Sequence, residues 1–564
     1  MAAIKAPRIA IIALGNSSIA TAQKIRSLYT FAQVYGSRKR VGNDPDTNGA
    51  DVLYDDFGAT LQALYRDGVA IVALCAAGIV IRALAPLLAQ TSAEKTTEPP
   101  VLAVAEDGSA VVPLLGGLAG VNVMARAIAA QLQVAPAITT SGELRFGTCL
   151  LNPPSGYALA DIEHGKRFVS DLLGGQQVRV EGDAHWLRDV ALPRDDGAKH
   201  VIRVTTQARS HADSDRELRI HPRSIVAFIR QVSADVEADV RAVLAVEAIA
   251  PQALACLVAL DEHIANAQLA RAAAALQVPL RFVSEFDAPV CGSSNHVVLQ
   301  INDAPVDAET IGRARGALTV VGLGPGAAEF MIPAARTALN AAQDVLGYET
   351  YVNMAGPFRA DQVLHCTDNR EEMVRARHAF ELAASGRRVV VVSSGDPGVF
   401  AMAAAVLEAL HESADAQWHG VDLHIYPGVS AALATAARAG APLGHDFCVM
   451  SLSDNLKPWE VIEKRLDHAA AADFALAFYN PISKARPWQL GRALEIIAQH
   501  RSGETVVVLG RDIGRPGETL RTLTLAELRP EYVDMRTMVI IGSSLTQRFV
   551  HEDREWVYTP RWYT

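Results

Sequence analysis

The feature that most narrows the folds open to this chain is a pair of glycine-rich turns, each closing a short run of apolar β-formers. The run 388–392 ends in Ser393-Ser394-Gly395-Asp396-Pro397-Gly398, and a helix is expected to start directly afterwards. Upstream, Val320-Val321 runs into Gly322-Leu323-Gly324-Pro325-Gly326-Ala327 in the same manner. Glycine has no Cβ, so backbone amides at such junctions lie open to a ligand, and repeated strand-to-helix order belongs to α/β architecture. Two such turns in one unit point to a nucleotide-like cofactor. The spacing Gly322-x-Gly324-x-x-Ala327 also fits a dinucleotide fingerprint, with Glu349 near the place of a ribose-binding acid. A dinucleotide requires neither Pro325 nor the Gly-Asp-Pro-Gly turn, and together these favour another cofactor.

At 564 residues the chain exceeds what one hydrophobic core serves, and ordinary domain sizes divide it into roughly three to five domains. Its net charge is −10 and it has no long basic block, which excludes a nucleic-acid or anionic-membrane footprint and suits a small-molecule enzyme. The longest apolar run, 69–81, is followed by Arg82 and Pro86. It is shorter than the roughly 18–20 residues of a membrane span and reads as a buried strand, a turn at Gly78 and a helix start. No signal-peptide pattern precedes the first expected strand, so a cytoplasmic protein without a membrane partner is expected. Cys75, Cys149, Cys256, Cys291, Cys366 and Cys448 are scattered without a Cys-x-x-Cys pair, so free thiols and no metal site are expected.

Along 1–150, short apolar strands (8–14, 69–74, 101–105, 110–113) alternate with Ala-rich helices such as 121–133, the order of a doubly wound domain. The segment 151–215 is richer in Gly, Asp and charge and reads as connecting hairpins or a small subdomain. A second α/β unit is expected over 216–300, with helices at 222–233, 236–248 and 264–276 and a strand at 255–260; 301–315 then reads as a polar linker. Beyond Gly316 the pattern changes near Tyr426-Pro427-Gly428-Val429-Ser430, where parallel βα alternation gives way to strands at 474–478, 505–509 and 538–541. Two lobes, 316–425 and 426–564, are expected with a cleft between them. The fold class is α/β and multidomain, a two-lobed C-terminal half preceded by two α/β domains.

Several ordered blocks of that half closely resemble the tetrapyrrole methyltransferases of cobalamin synthesis, and within them the precorrin-3B carbon-17 methyltransferases. They are Gly322-Leu-Gly-Pro-Gly326, Ser393-Ser-Gly-Asp-Pro-Gly-Val-Phe-Ala-Met402, Pro427-Gly-Val-Ser-Ala-Ala432, Gly440-Ala-Pro-Leu-Gly-His-Asp-Phe-Cys448, Ser451-Leu-Ser-Asp454 and Phe478-Tyr-Asn-Pro481. The resemblance implies the two-lobed tetrapyrrole methylase fold, with S-adenosylmethionine folded between the lobes and held mainly by backbone groups. Pro325 matches the proline of the first turn, Gly395, Asp396 and Pro397 the second turn, and Val399 a position just beyond it. Ser430 and Ala431 match a small pair at the lobe junction, and Asn480 a contact on a later strand. The implied reaction is methylation of precorrin-3B at carbon 17 with contraction of the macrocycle to precorrin-4, on a ring either metal-free or holding cobalt.

Methyl transfer depends above all on alignment, whereas ring contraction also requires a hydroxyl to lose its proton while a bond migrates and a lactone opens. His445, Asp446, Asp454 and Glu518 are the candidate general base and carboxylate-stabilising groups. The implied substrate carries many carboxylates, so Arg370, Arg375, Arg377, Arg511 and Arg515 are candidate anion partners. Gly322, Gly324 and Gly326 line the first turn on the substrate side, and Tyr348, Tyr351 and Tyr479 are candidates for packing on the flat ring. Related methyltransferases are often homodimers, so the resemblance also implies a homodimer, working among other corrin-pathway enzymes.

The N-terminal half resembles the cobalt-precorrin-5A hydrolase family through Ala77-Gly-Ile-Val-Ile-Arg-Ala-Leu-Ala-Pro86, Pro100-Val-Leu-Ala-Val104, Leu115-Gly-Gly-Leu-Ala-Gly-Val-Asn122 and Ile138-Thr-Thr140. Gly117 stands where that family has His, Glu98-Pro99 replaces Asp-Pro, and further departures fall at 221–223, 263–266 and 294–297. These departures remove candidate acids and bases. The implied role is a precorrin-binding or product-handling module. The alternatives are a bifunctional cobalt-precorrin methyltransferase and hydrolase, a non-catalytic tetrapyrrole carrier and, from the fingerprint alone, a nicotinamide dehydrogenase.

Overall fold

In the computed structural model the described residues are 9–29, 32–42, 49–89, 98–208, 216–286, 291–293, 295–356, 358–359, 361–368 and 371–562. They divide into two compact units, Met1–Arg315 and Gly316–Thr564.

Among its described residues the first unit contains three sheets. The first runs Val52–Tyr54, Ala32–Ser37, Ile9–Ala13, Ala70–Leu74, Val101–Val104, Val111–Leu115, parallel except at the last pairing. Its central strands are apolar at every position because both faces are covered, which is why they read as continuous runs rather than alternations. Gly78 makes no turn: it is the second residue of the helix Ala77–Leu88, and Cys75 and Ala76 make the corner. Pro86 sits inside the same helix, near its C-terminal end.

The segment 151–215 is more than a connection. The strands Tyr157–Leu159, Glu217–Pro222, His200–Val204 and Val178–Glu181 form one sheet, and Phe146, Phe168, Leu172, Leu218 and Ile220 fill its core. Glu217–Pro222 therefore completes this middle sheet instead of opening the next domain.

The third sheet runs Leu280–Val283, Leu254–Leu260, Ile225–Ile229, Val297–Ile301, Cys291–Ser293. The helix expected over 222–233 is replaced by strand. Ile225-Val226-Ala227-Phe228-Ile229 is buried at every position between two neighbouring strands, a place that suits β-branched and aromatic residues. The segment expected to be a linker is also pinned down. Buried Arg281 donates to the carbonyls of Ile311 at 2.7 Å and Gly312 at 3.1 Å, and Phe282 and Arg313 exchange backbone hydrogen bonds.

The second unit is two-lobed. Its first sheet is wholly parallel, in the order Val363–Thr367, Asp344–Tyr348, Arg388–Ser393, Ala317–Gly322, Asp422–Tyr426. Its second sheet, Phe447–Ser451, Ala475–Tyr479, Thr537–Ile541, Val506–Arg511, Thr519–Thr524, is parallel only at the first pairing. The helix Ala431–Ala439 packs Ala432, Ala436 and Ala439 onto Ala477, Val508 and Ile540 of that sheet. A small sheet of Gly440–Ala441, Arg554–Tyr558 and Gln547–His551 completes the lobe.

Candidate functional site

Three neighbouring parallel strands, Arg388–Ser393, Ala317–Gly322 and Asp422–Tyr426, deliver three turns to one edge of the first sheet. The turns pack backbone on backbone. A Cβ on Gly322 would stand 2.6 Å from the carbonyl oxygen of Gly395 and 2.7 Å from the amide nitrogen of Gly428, and a Cβ on Gly428 would collide with the same carbonyl. Gly324 and Gly395, both left-handed at φ 73° and 67°, exchange backbone hydrogen bonds of 3.1 and 2.8 Å. Asp396 closes the arrangement: its Oδ1 accepts the N–H of Gly398 at 2.8 Å and its Oδ2 the N–H of Gly428 at 3.0 Å.

Neither glycine turn leads directly into an α-helix. A single 3-10 turn, Ala328–Phe330, follows the first of them, and the α-helices begin only at Pro333 and Met402, so the expected junctions are corrected. The dinucleotide reading loses its basis with them, because that motif places a pyrophosphate on the helix N-terminus.

Pro325, Gly395 and Pro397 are buried, while Asp396 and Val399 are half-buried. Ser430 caps the helix Ala431–Ala439 through Oγ, which accepts the N–H of Leu433 at 3.4 Å. Tyr479 reaches this helix from the second sheet, its hydroxyl accepting the N–H of Ala432 at 3.2 Å. Its neighbour Asn480, at φ 49°, donates to Ser451 Oγ at 3.1 Å. Gly322 and Gly324 are buried in the turn packing and offer a substrate no side chain, and Gly326 lies under the Arg515 side chain.

The cationic candidates divide sharply. Arg515 crosses from the second lobe to the first, its Nε donating to the Pro325 carbonyl at 2.7 Å and its guanidinium to Ser394 Oγ at 3.3 Å. Arg375 is a correction. It is 2% exposed, donates to Thr367 Oγ1 and the Asp368 carbonyl at 2.7 Å each, and lies 3.0 Å from Met402 Sδ. Burial holds its guanidinium below the usual arginine range, and its donors are engaged by Thr367, Asp368 and Met402 within the first lobe. Arg511 is engaged by Asp534 at 2.9 Å and Asp512 at 2.8 Å, pairs that raise its pKa. Arg377 pairs loosely with Glu412 at 3.9 Å, and Arg370 lies outside the described residues. Tyr348 and Tyr351 meet edge to face at 5.3 Å, and burial raises the pKa of Tyr351.

The four catalytic candidates do not converge. His445 and Asp446 precede the strand Phe447–Ser451 and Asp454 follows it, so about 17 Å of strand separates them. Asp454 stands at the edge that carries Asn480, because their strands run parallel, and it accepts from Gln489 Nε2 at 3.1 Å. Glu518 is engaged by the N–H of Gly514 at 2.8 Å and by Arg438 at 3.2 Å.

Sequence reasoning missed two residues here. Phe400 is left-handed at φ 52° and 52% exposed, with its ring 5.5 Å from that of Tyr479; Lys457 places Nζ 5.9 Å from the Phe400 ring centre. Phe400 lies within the second glycine block, but its backbone conformation has no sequence signature.

In the first unit, Asn122 donates to Glu143 Oε1 at 2.6 Å and Thr140 Oγ1 at 3.0 Å, and Arg126 pairs with the same carboxylate. Glu98, at the place of the family Asp, accepts the N–H of Gly116 at 3.0 Å and the Tyr65 hydroxyl at 3.2 Å. Burial, aided by Glu98, pushes the Tyr65 pKa up to about 12. Among the described residues no helix is long and apolar enough to cross a membrane.

Two family models match the chain: Tetrapyrrole (Corrin/Porphyrin) Methylases over residues 317–529 and Cobalamin synthesis G N-terminal over 59–143. The chain is 53% identical over 250 residues to a precorrin-3B C(17)-methyltransferase of Sinorhizobium sp, covering 44% of this chain and 97% of that protein. It is 48% identical over 260 residues to the cobalamin biosynthesis protein CobIJ of Mycobacterium tuberculosis, covering 45% of this chain and 50% of that one. Among solved structures it is similar to the methyltransferase CobJ, at 51% identity over 43% of this chain and 100% of that chain, with a TM-score of 0.41. The family match over residues 317–529 spans the three strands that carry the packed turns, and with 53% identity over 97% of the Sinorhizobium methyltransferase the chain belongs to the tetrapyrrole (corrin/porphyrin) methylases.

Proposed function

We propose that the chain is an S-adenosylmethionine-dependent methyltransferase acting at carbon 17 of precorrin-3B, with ring contraction to precorrin-4 as the coupled step. The observation that carries the reading is the triple turn. Gly322, Gly395 and Gly428 approach too closely for any side chain to intervene, which leaves backbone groups to recognise a ligand. Pro325, Asp396 to Val399, Ser430, Ala431 and Asn480 would hold the cofactor around that cradle. The name of the Sinorhizobium relative supports the substrate.

When bound, S-adenosylmethionine supplies an electrophilic methyl group. The chain's own part is to orient donor and ring carbon in line, a contribution of order 7–11 kcal/mol in well-aligned systems. Of the four acid–base candidates, Asp454 and Glu518 lie at the sheet edge that carries Asn480; Glu518 is already engaged by the Gly514 N–H and by Arg438, and we assign Asp454 the hydroxyl proton of the contraction step. Arg515 fixes the first turn against the second lobe. A homodimer is part of the proposal: the edge strand Gln547–His551 leaves Phe549 and Val550 exposed, apolar surface that a second copy would cover.

The N-terminal half is proposed to bind or hand on the precorrin, which fusion keeps at high effective concentration. The match to Cobalamin synthesis G N-terminal supports this, and it also favours the bifunctional alternative. Anaerobic incubation of the intact chain with S-adenosylmethionine and either precorrin-3B or its cobalt analogue, read by mass spectrometry, tests the main reading. A singly methylated, ring-contracted product is expected. Acetaldehyde release from cobalt-precorrin-5A would establish the bifunctional reading, and tight precorrin binding without turnover the carrier.

A further inference from the structure

Phe400 combines three features that the fold alone does not require. Its φ of 52° lies in the left-handed region, which a bulky side chain occupies at a strain of about 1–3 kcal/mol. Its ring is 52% exposed although apolar. It follows directly on the Asp396-Pro397-Gly398-Val399 turn, and residues held in sparsely populated backbone regions cluster at ligand-binding sites. An ordinary backbone at this position would turn the ring elsewhere.

The surroundings define what the ring is held out for. One side is fixed by Tyr479, 5.5 Å away at 58°, whose hydroxyl is in turn held by the Ala432 N–H. Lys457, from the loop after Phe447–Ser451, brings Nζ to 5.9 Å from the ring centre. Among the described residues no carboxylate pairs with Lys457. Burial, with Arg465 adding to it, holds its ammonium below the usual lysine range, so an anion beside it would be favourable. The next residue back, Leu456, is exposed and extends the apolar surface.

We propose that Phe400 and Lys457 form the platform that orients the tetrapyrrole, the Phe400 ring carrying a face of the macrocycle and the Lys457 ammonium pairing with one of its peripheral carboxylates. The pair joins the two lobes, because Phe400 follows a strand of the first lobe while Lys457 and Tyr479 belong to the second lobe. This assignment rests on the methyltransferase reading for its substrate, but a planar, carboxylate-bearing ring is the ligand its chemistry selects in any case. Stacking covers the exposed aromatic surface, and the carboxylate balances a charge that has no counter-ion among the described residues.

The test uses the full chain and the variants Phe400→Gly, Lys457→Gln and Lys457→Arg. Glycine keeps the left-handed backbone without strain, so its effect reports the ring. Three quantities are measured: uroporphyrin affinity by quenching of tryptophan fluorescence, S-adenosylhomocysteine affinity by calorimetry, and KM for precorrin-3B. Phe400→Gly and Lys457→Gln are each expected to weaken uroporphyrin binding and raise KM about tenfold with S-adenosylhomocysteine affinity unchanged, and Lys457→Arg to restore most of the loss. Uroporphyrin affinity within about twofold of the parent in both variants overturns the platform, as does an equal loss of S-adenosylhomocysteine affinity. A parent chain that binds uroporphyrin through these residues yet fails to methylate precorrin-3B would instead sink the methyltransferase reading and leave the platform standing.

Discussion

The carboxylate of Asp396 accepts the backbone N–H of Gly428 at 3.0 Å while its other oxygen accepts that of Gly398 at 2.8 Å. One side chain thus sets the spacing between the second and third turns. Asp396→Ala removes both bonds and the charge, so stability is expected to fall by about 1–3 kcal/mol. Affinity for S-adenosylmethionine should fall further, about a hundredfold, because the turn itself moves. Calorimetric titration beside a melting curve checks this. A cooperative melt with unchanged cofactor affinity contradicts the role.

Gly428→Ala tests the close approach directly. The added methyl would collide with the Gly395 carbonyl and reach within 2.9 Å of Gly322 Cα. Overpacking of this kind costs about 1–3 kcal/mol and here must push two turns apart. Loss of methylation is expected while the thermal transition of the first unit is retained, as read by differential scanning calorimetry.

Arg375 is expected to act through folding. Its guanidinium is buried against Thr367, Asp368 and Met402. Arg375→Ala leaves those acceptors unpaired and opens a cavity, a loss of about 2–4 kcal/mol. In the protein that remains folded, KM for the tetrapyrrole should stay as in the parent. A selective rise in KM without destabilisation would return Arg375 to the substrate.

His221 gives the first unit an acid sensitivity. It is 2% exposed, its Nδ1–H donates to the Thr205 carbonyl at 2.6 Å, and burial lowers its pKa from the ordinary 6.5. The unfolded chain takes up the proton first, so the stabilisation is complete above pH about 6.5 and is lost as the pH falls toward the folded value. His221→Gln keeps a donor for Thr205 and cannot titrate. Between pH 7 and 5 its melting temperature should fall less than that of the parent.

Arg126→Ala leaves Glu143 buried with Asn122 as its remaining anchor, which destabilises the first unit. Single-turnover methylation is nevertheless expected to be close to the parental rate if that unit only handles the tetrapyrrole. Collapse of the chemical step would mean that the two halves build one active site.

How much of this was legible depended on which contacts carried the signal. Ile9–Ala13 and Ala70–Leu74 could be read because burial on both faces demands unbroken apolar runs. Ile225–Ile229 could not be told from a helix for the same reason, since a short, wholly apolar stretch has no period. The middle domain could be read only as connecting hairpins or a small subdomain, because its connections are polar and the residues that make it a domain, Phe146, Phe168 and Ile220, are far apart in the chain.

By itself the sequence determined the α/β class, the two glycine turns and the resemblance that points to the cofactor, because local geometry and backbone-only recognition must be written as Gly, Pro and Asp at defined spacings. Only the tertiary structure decided that Arg375 is core, that Arg515 clasps Pro325, that His445 and Asp454 lie at opposite ends of one strand, and that Phe400 is turned outward beside Lys457. Partner choice and exposure arise from segments distant in the chain meeting in space, and a charge or a ring carries no mark of where it will point until they do.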